Sequence, residues 1–542
     1  MNTSKFLVFL ILTVMLGIVH HAPFLNFQNA LAVGDQGFNL YAFERTAMGE
    51  QPYVDFWWCY GPFAPYYFAA FIKIFGATMS SVLAGKALLN FLAGLFCFLA
   101  VTRISSPILG LTVTVFYWAY YPDFFYSYNH TAGITCFMGV MLALFHYYKD
   151  PRRRWIWFGF LCLFILCLVR INMGIALLFG FVVSLIALDR LLPRKGAPSN
   201  LKLYLGGSIA VLGVSLLIYV WMLSPLPWYK VQQCMPYFNK IYMADSDPDP
   251  FLKYKIYWSR LVGLVTQAWS FALLGLLLLV TTGRTLFLFF RTRPDKTRQD
   301  ALHFCIAVTA FLTLLVAHEF LMGAHVYRAV WTIPFQMIFF GLTLHFGTKN
   351  IRPLLRETLI LGVLAVVLWD LFRYYNRINH QYKVSEQLLH EPKATVYLGN
   401  RQPWIRTVEQ VSSYLRENLA DGETFFAVPY EPLYYFLADR KSPSWHMMFV
   451  KGAGITDEQE QEIIRALKDP SIKYVLLSNR YRFTSETRLG ELGTTHLIEM
   501  SKYINDHFQT EATFGAWEAE AGWNFNHGMK ILRRLPPGET NN

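Results

Sequence analysis

Apolar stretches of membrane-spanning length recur from Phe6 to Phe372 and then stop. A helix needs about 20 predominantly apolar residues to cross a bilayer, and within the hydrocarbon each backbone polar group has to be satisfied inside its own helix. Most of this chain is therefore confined to helices in lipid. Composition agrees, because 54% of the 542 residues are hydrophobic and only 15% are charged.

Spans are expected at Phe6 to His21, Val82 to Thr102, Ile108 to Tyr121, Thr131 to Tyr148, Trp155 to Leu168, Met173 to Leu191, Leu203 to Met222, Leu261 to Phe289, Leu302 to Val316, Val330 to Phe346 and Leu359 to Phe372. That makes about eleven crossings. Lys5, Arg103, Arg152 to Arg154, Arg194 with Lys195 and Lys202, Arg291 with Arg293, Lys296 and Arg298, and Lys349 with Arg352 and Arg356 all fall on one side. Basic short loops mark the cytoplasmic side, so the net charge of +12 reads as topology and implies no nucleic-acid partner. A multi-pass membrane protein follows, with its N-terminus cytoplasmic and its C-terminal region outside. Asp35, Asp55 and the 123–130, 224–257 and 322–328 loops share that outer face. A rival reading of the N-terminus is a signal peptide, with Lys5, an apolar stretch and Ala30-Leu31-Ala32 as a small-residue cleavage site; Asp35 is outside either way.

The expected fold class is a polytopic α-helical membrane protein with a C-terminal extracytoplasmic α/β domain. Residues 1–375 form the membrane domain, with an outer loop at 22–81, and residues 376–542 the soluble periplasmic domain. In the latter, helix-like Val408 to Leu419, Asp457 to Leu467 and Thr495 to His507 alternate with strand-like Thr424 to Val428, Tyr474 to Leu477 and Met529 to Leu532. Of the seven cysteines only Cys59 and Cys234 lie in outer loops, where pairing in an oxidising compartment and two free thiols are both open. No CxxC, HExxH or phosphate-cradling glycine loop occurs.

Asp35 opens a stretch in which Phe38, Tyr41, Ala42 and Arg45 recur at helical spacing, as in a helix lying on the membrane surface. A helix cap and a catalytic carboxylate are both open for it. Asp55, Trp57, Trp58 and Tyr60 form an acid and aromatic run suited to a sugar face, although such rings also gather at headgroup level in any membrane protein. Asp123, Asn129 and His130 make a second polar cluster. Lys86, Arg170 and Arg328 stand at the outer ends of spans, where an ionisable group is costly and faces a polar cavity or snorkels to headgroups. Three cations below carboxylates describe a site for a lipid phosphate.

Together, the outer loop bearing Asp35, the element Pro52-Tyr53-Val54-Asp55-Phe56-Trp57-Trp58-Cys59-Tyr60-Gly61-Pro62 and the membrane-hugging stretch Tyr66 to Gly76 resemble the GT-C glycosyltransferases of the dolichyl-phosphate-mannose-protein mannosyltransferase and aminoarabinose transferase type. The resemblance extends weakly to Glu423 to Leu437 and Lys473 to Ser478. It implies inverting transfer of a sugar from a polyprenyl-phosphate donor to a lipid, glycan or protein acceptor on the outer face. Asp35 would act as general base or support a divalent metal, and Lys86, Arg170 and Arg328, the last within Tyr327 to Pro334, would hold the donor phosphate. Two departures stand out: Gln36 replaces an acidic residue found in several relatives, and Tyr60-Gly61-Pro62 replaces a Lys-Pro-Pro element. Metal use stays open for that reason. Non-catalytic binding or transport of a lipid-linked saccharide is the competing reading.

Overall fold

The structure, a computed structural model, describes residues 3–120, 128–191, 200–235, 298–317, 331–348, 351–382, 388–398, 404–481, 490–519, 528–536 and 538–539. The expected eighth span, Asp123 and Arg328 lie outside the described residues.

Every other expected span falls on a helix: α1 Thr3–His21, α4 Met79–Ile104, α5 Pro107–Tyr120, α6 Tyr128–Lys149, α7 Arg153–Val169, α8 Ile171–Leu191, α9 Leu201–Leu223, α11 Arg298–Val316, α12 Ile333–Gly347 and α13 Pro353–Tyr382, with the short α10 Trp228–Cys234 following α9. Among the described residues, five helices are long and apolar enough to cross a membrane: α1, α4, α6, α8 and α9. The most apolar window of α6 is 89% buried and that of α1 only 22%, so α6 is the axis of the bundle and α1 lies at its rim. A buried cluster running from Ala93 and Cys97 through Phe137 and Phe160 to Trp331 and Phe339 holds these helices together. Asp189 on α8 accepts hydrogen bonds from the hydroxyls of Tyr147 (3.0 Å) and Tyr204 (2.6 Å), which satisfies a carboxylate that lipid would otherwise strand.

Between α1 and α4 the outer loop folds into α2 (Asp35–Ala47) and α3 (Phe63–Phe75). On α3, Tyr66, Ile74 and Phe75 are exposed while Phe68 and Ile72 are buried, as befits a helix resting on a lipid surface. The expectation of a surface-lying helix fails for α2. Phe38, Leu40, Tyr41, Phe43 and Glu44 are all buried, because the helix is wedged between α3 and the outer domain.

The outer domain contains α14 (Ile405–Asn418), α15 (Leu433–Ala438), α16 (Asp457–Leu467), α17 (Ile498–His507) and strands β4 (Thr424–Val428), β5 (Ile472–Ser478), β6 (Phe508–Gly515) and β7 (Gly528–Arg534). The sheet order is β4-β5-β7-β6. β4 and β5 are parallel and the other pairs antiparallel, an α/β arrangement as expected, with β6 the strand that alternation had not revealed. A Thr456 capping box starts α16, its hydroxyl accepting from the Gln459 N–H while the Gln459 side chain accepts from the Thr456 N–H.

The two regions are sewn together. β1 (Phe27–Gln28), from the loop after α1, pairs in parallel with β3 (Val396–Leu398), which also pairs with β2 (Leu388–Leu389). The boundary expected after residue 375 falls inside a continuous helix, since α13 runs through to Tyr382. Lys393 bridges the buried Glu44 of α2 and Asp439 of the outer domain at 2.6 Å each. Burial raises the Glu44 carboxyl above its ordinary range although Lys393 opposes the shift.

Candidate active site

Asp35 is the first residue of α2, with Gly34 as the N-cap residue. A carboxylate in a first helical turn is favoured by the helix dipole, but Gly34 takes the cap position, so Asp35 is a first-turn residue and not the helix cap that was one reading of it. The hydroxyl of Tyr430, carried by the outer domain just after β4, donates to Asp35 Oδ1 at 3.2 Å. Close approach makes this contact: a Cβ on Gly34 would lie 2.5 Å from the Tyr430 ring, and one on Gly37 would lie 2.2 Å from the backbone nitrogen of Leu433. The Leu433 N–H donates to the Val33 carbonyl at 3.3 Å.

Gln36 points the other way, into the core. Its amide nitrogen donates to Gln28 Oε1 (2.8 Å) and the Tyr128 hydroxyl (3.2 Å), and its oxygen accepts from the Ala32 N–H (3.3 Å). Among the described residues no three His, Cys, Asp or Glu side chains gather as a metal-holding group. With Gln36 committed to a buried amide network, the described donors around Asp35 do not make a divalent-metal site.

Of the three cations expected at the outer ends of spans, the two within the described residues lie at the same end of the bundle. Lys86 is buried in α4, its Nζ 5.5 Å from the ring centre of Tyr128. Arg170 occupies the extended break between α7 and α8, also buried, with its guanidinium 5.9 Å from the Tyr60 ring and 5.6 Å from the Trp331 ring. Such faces stabilise a cation that has left water. His130 lies 4.8 Å, ring to ring, from the same Trp331. Among the described residues, Asn129 Oδ1 and Trp331 Nε1 are buried polar atoms with no hydrogen-bond partner.

The aromatic run divides. Trp58 is fully buried, donates Nε1 to the Gly61 carbonyl at 3.0 Å and stacks on Phe38, so it is neither a headgroup anchor nor open to a sugar. Trp57 is buried against the outer domain, its N–H on the Trp445 carbonyl (2.9 Å) and its Nε1 on the Gln233 carbonyl (3.1 Å). Asp55 is exposed, and its Oδ2 accepts the Gln51 N–H at 2.7 Å, closing its own turn away from the other groups. Tyr60 alone of the run stays half-buried and faces the cation. Burial pushes the Tyr430 phenol well above its ordinary value, and the charges of Asp35, Tyr60 and Cys59 add to the shift. Cys59 and Cys234 are not joined in a disulfide, and Cys234 Sγ lies on the Trp58 N–H.

Four groups of this site were not singled out from the sequence: Tyr430, Gln28, Tyr128 and Trp331. Trp331 follows the expected Arg328 by three residues, so its stretch was marked although its ring was not.

No family model matches the chain, and no curated protein matches it. Among solved structures it is similar to the oligosaccharyltransferase of Archaeoglobus fulgidus in complex with zinc and sulfate, with TM-score 0.51 and 14% identity over 92% of this chain and 71% of that one. It is also similar to ArnT from Cupriavidus metallidurans bound to undecaprenyl phosphate, with TM-score 0.50 and 12% identity over 100% of both chains. At these identities the likeness is one of fold. The protein is a polytopic helical membrane protein with a C-terminal sheet-containing domain, the fold it shares with these two structures.

Proposed function

We propose that the protein is a membrane glycosyltransferase that moves a sugar from a polyprenyl-phosphate donor to a lipid, glycan or protein acceptor on the outer face of a bacterial inner membrane. The observation that carries this reading is that Tyr60 and Tyr430 belong to one packed cluster, Tyr60 with its ring 5.9 Å from the buried Arg170 guanidinium and Tyr430 with its hydroxyl on Asp35. A buried guanidinium and a carboxylate are thereby tied to the same aromatic cluster. The undecaprenyl phosphate bound by the fold neighbour ArnT supports the choice of donor class.

In this mechanism Asp35 takes the proton of the acceptor hydroxyl as its oxygen attacks the anomeric carbon. The bond from that carbon to the phosphate oxygen breaks, and polyprenyl phosphate leaves with the electron pair. Lys86, Arg170 and Arg328 neutralise the charge growing on the phosphate. Attack opposite the leaving group inverts the anomeric centre. Tyr60, Asn129 and His130 line the sugar's path, and the outer domain shapes acceptor choice.

Mass spectrometry of lipid-linked sugars and envelope glycans from wild-type, deletion and Asp35→Ala cells tests the assignment. Loss of one glycan modification in both mutants, with the same polyprenyl-phosphate sugar accumulating, supports it. A change in the deletion alone would favour binding or transport of a lipid-linked saccharide.

A further inference from the structure

We infer that the outer domain supplies a positioning residue to the reaction: Tyr430, whose hydroxyl holds the carboxylate of Asp35. The inference rests on the reading of Asp35 as general base. Four features build the contact. The phenol reaches Asp35 Oδ1 at 3.2 Å across 395 residues of sequence. Gly34 and Gly37 remove the two Cβ atoms that would keep this part of the outer domain from the start of α2. The segment carrying Tyr430 is pinned from below, because Arg480 donates from Nη2 to the Tyr430 carbonyl and from Nε to Glu431 Oε1 at 2.9 Å. Arg480 and Glu431 are both fully buried.

A buried ion pair is a poor device for stability, since desolvation consumes most of what the attraction contributes. Placed directly behind Tyr430, its guanidinium fixes one backbone carbonyl and with it the direction of one side chain. A buried phenol needs an acceptor in any fold. Here the acceptor chosen is the one carboxylate in the first turn of α2, and the donor comes from the other domain. Two consequences follow. The hydrogen bond holds one carboxylate oxygen in place while the acceptor is deprotonated, and it stabilises the charged form that a base requires. Base strength then depends on the outer domain being seated, which couples acceptor binding there to chemistry at the membrane surface.

The proton itself is the probe, so no substrate need be known. Infrared difference titration of the full-length protein in nanodiscs identifies the Asp35 carboxyl band as the one lost in Asp35→Asn. In Tyr430→Phe, which keeps the ring against Gly34, the protonation midpoint of that band should rise by about one pH unit, the worth of a hydrogen bond to a charged group. Installing 3-fluorotyrosine at position 430 makes the hydroxyl a stronger donor and should move the midpoint down. A midpoint unmoved by both changes overturns the role of Tyr430 and leaves the base assignment intact. Full glycan transfer in Asp35→Asn cells overturns the base assignment and the role of Tyr430 with it.

Discussion

The amide nitrogen of Gln36 donates to the hydroxyl of Tyr128 at 3.2 Å, and the ring of Tyr128 lies beneath the ammonium of Lys86. The residue after the candidate base is thus linked through one phenol to a candidate phosphate-binding cation. Gln36 serves this link as an amide because it donates twice and accepts as well. Gln36→Glu removes both donors and leaves Gln28 Oε1 facing a carboxylate. The expected outcome is a loss of about 3 kcal/mol of stability, read as a lowered denaturation midpoint, and no gain of metal-stimulated activity on adding zinc or manganese.

The seam between α2 and the outer domain should be intolerant of a single methyl group. Gly37→Ala places a Cβ against the Leu433 backbone, which cannot rotate away, and should cost about 2 kcal/mol. Limited proteolysis should then release the outer domain more readily. Gly206→Ala is the matched control, since it lies inside α9 with nothing within 4 Å of a Cβ, and with the better helix former in place its melting temperature should be no lower than the wild type's.

Arg170 is held between two ring faces, where guanidinium and ammonium are not interchangeable. Arg170→Lys should weaken binding of undecaprenyl phosphate by about tenfold, measured by titration of the purified protein, with no change in melting temperature. Equal affinity in the two proteins would remove Arg170 from the donor site.

Acid should loosen the outer domain from the segment before residue 235. His446 lies 3.2 Å from Gln233 Oε1, and burial, helped by Lys230, pushes its imidazole down to about 3. The unfolded chain takes up this proton near pH 6.5 while the folded protein refuses it until about pH 3. Stability is therefore lost as pH falls from about 6.5. His446→Gln should flatten the dependence of melting temperature on pH between 7 and 4 relative to the wild type.

Much of the membrane domain was legible because lipid enforces a simple code. Ends expected at Val82 and Thr102 became Met79 and Ile104, and those at Leu203 and Met222 became Leu201 and Leu223. The last helix was expected to end at Phe372, where apolarity stops, yet backbone bonding carries it on to Tyr382. Asp35 was legible as a helix-terminal carboxylate from the spacing of Phe38, Tyr41 and Ala42. Trp58 was misjudged, since an indole reads the same at a headgroup and in a core, and only its stacking on Phe38 decides. Tyr430 and the Arg480–Glu431 pair carried no local mark. Their meaning lies in contacts hundreds of residues away or between groups 49 apart, which periodicity does not encode.

The most direct test adds purified protein to lipid extracts of deletion-strain membranes and follows polyprenyl-phosphate sugars by mass spectrometry. The account predicts that wild-type protein converts one such lipid to free polyprenyl phosphate as one acceptor gains the sugar, and that Asp35→Asn binds undecaprenyl phosphate normally but converts nothing. Conversion by Asp35→Asn at the wild-type rate, or none by the wild type while it still binds the lipid, would contradict it.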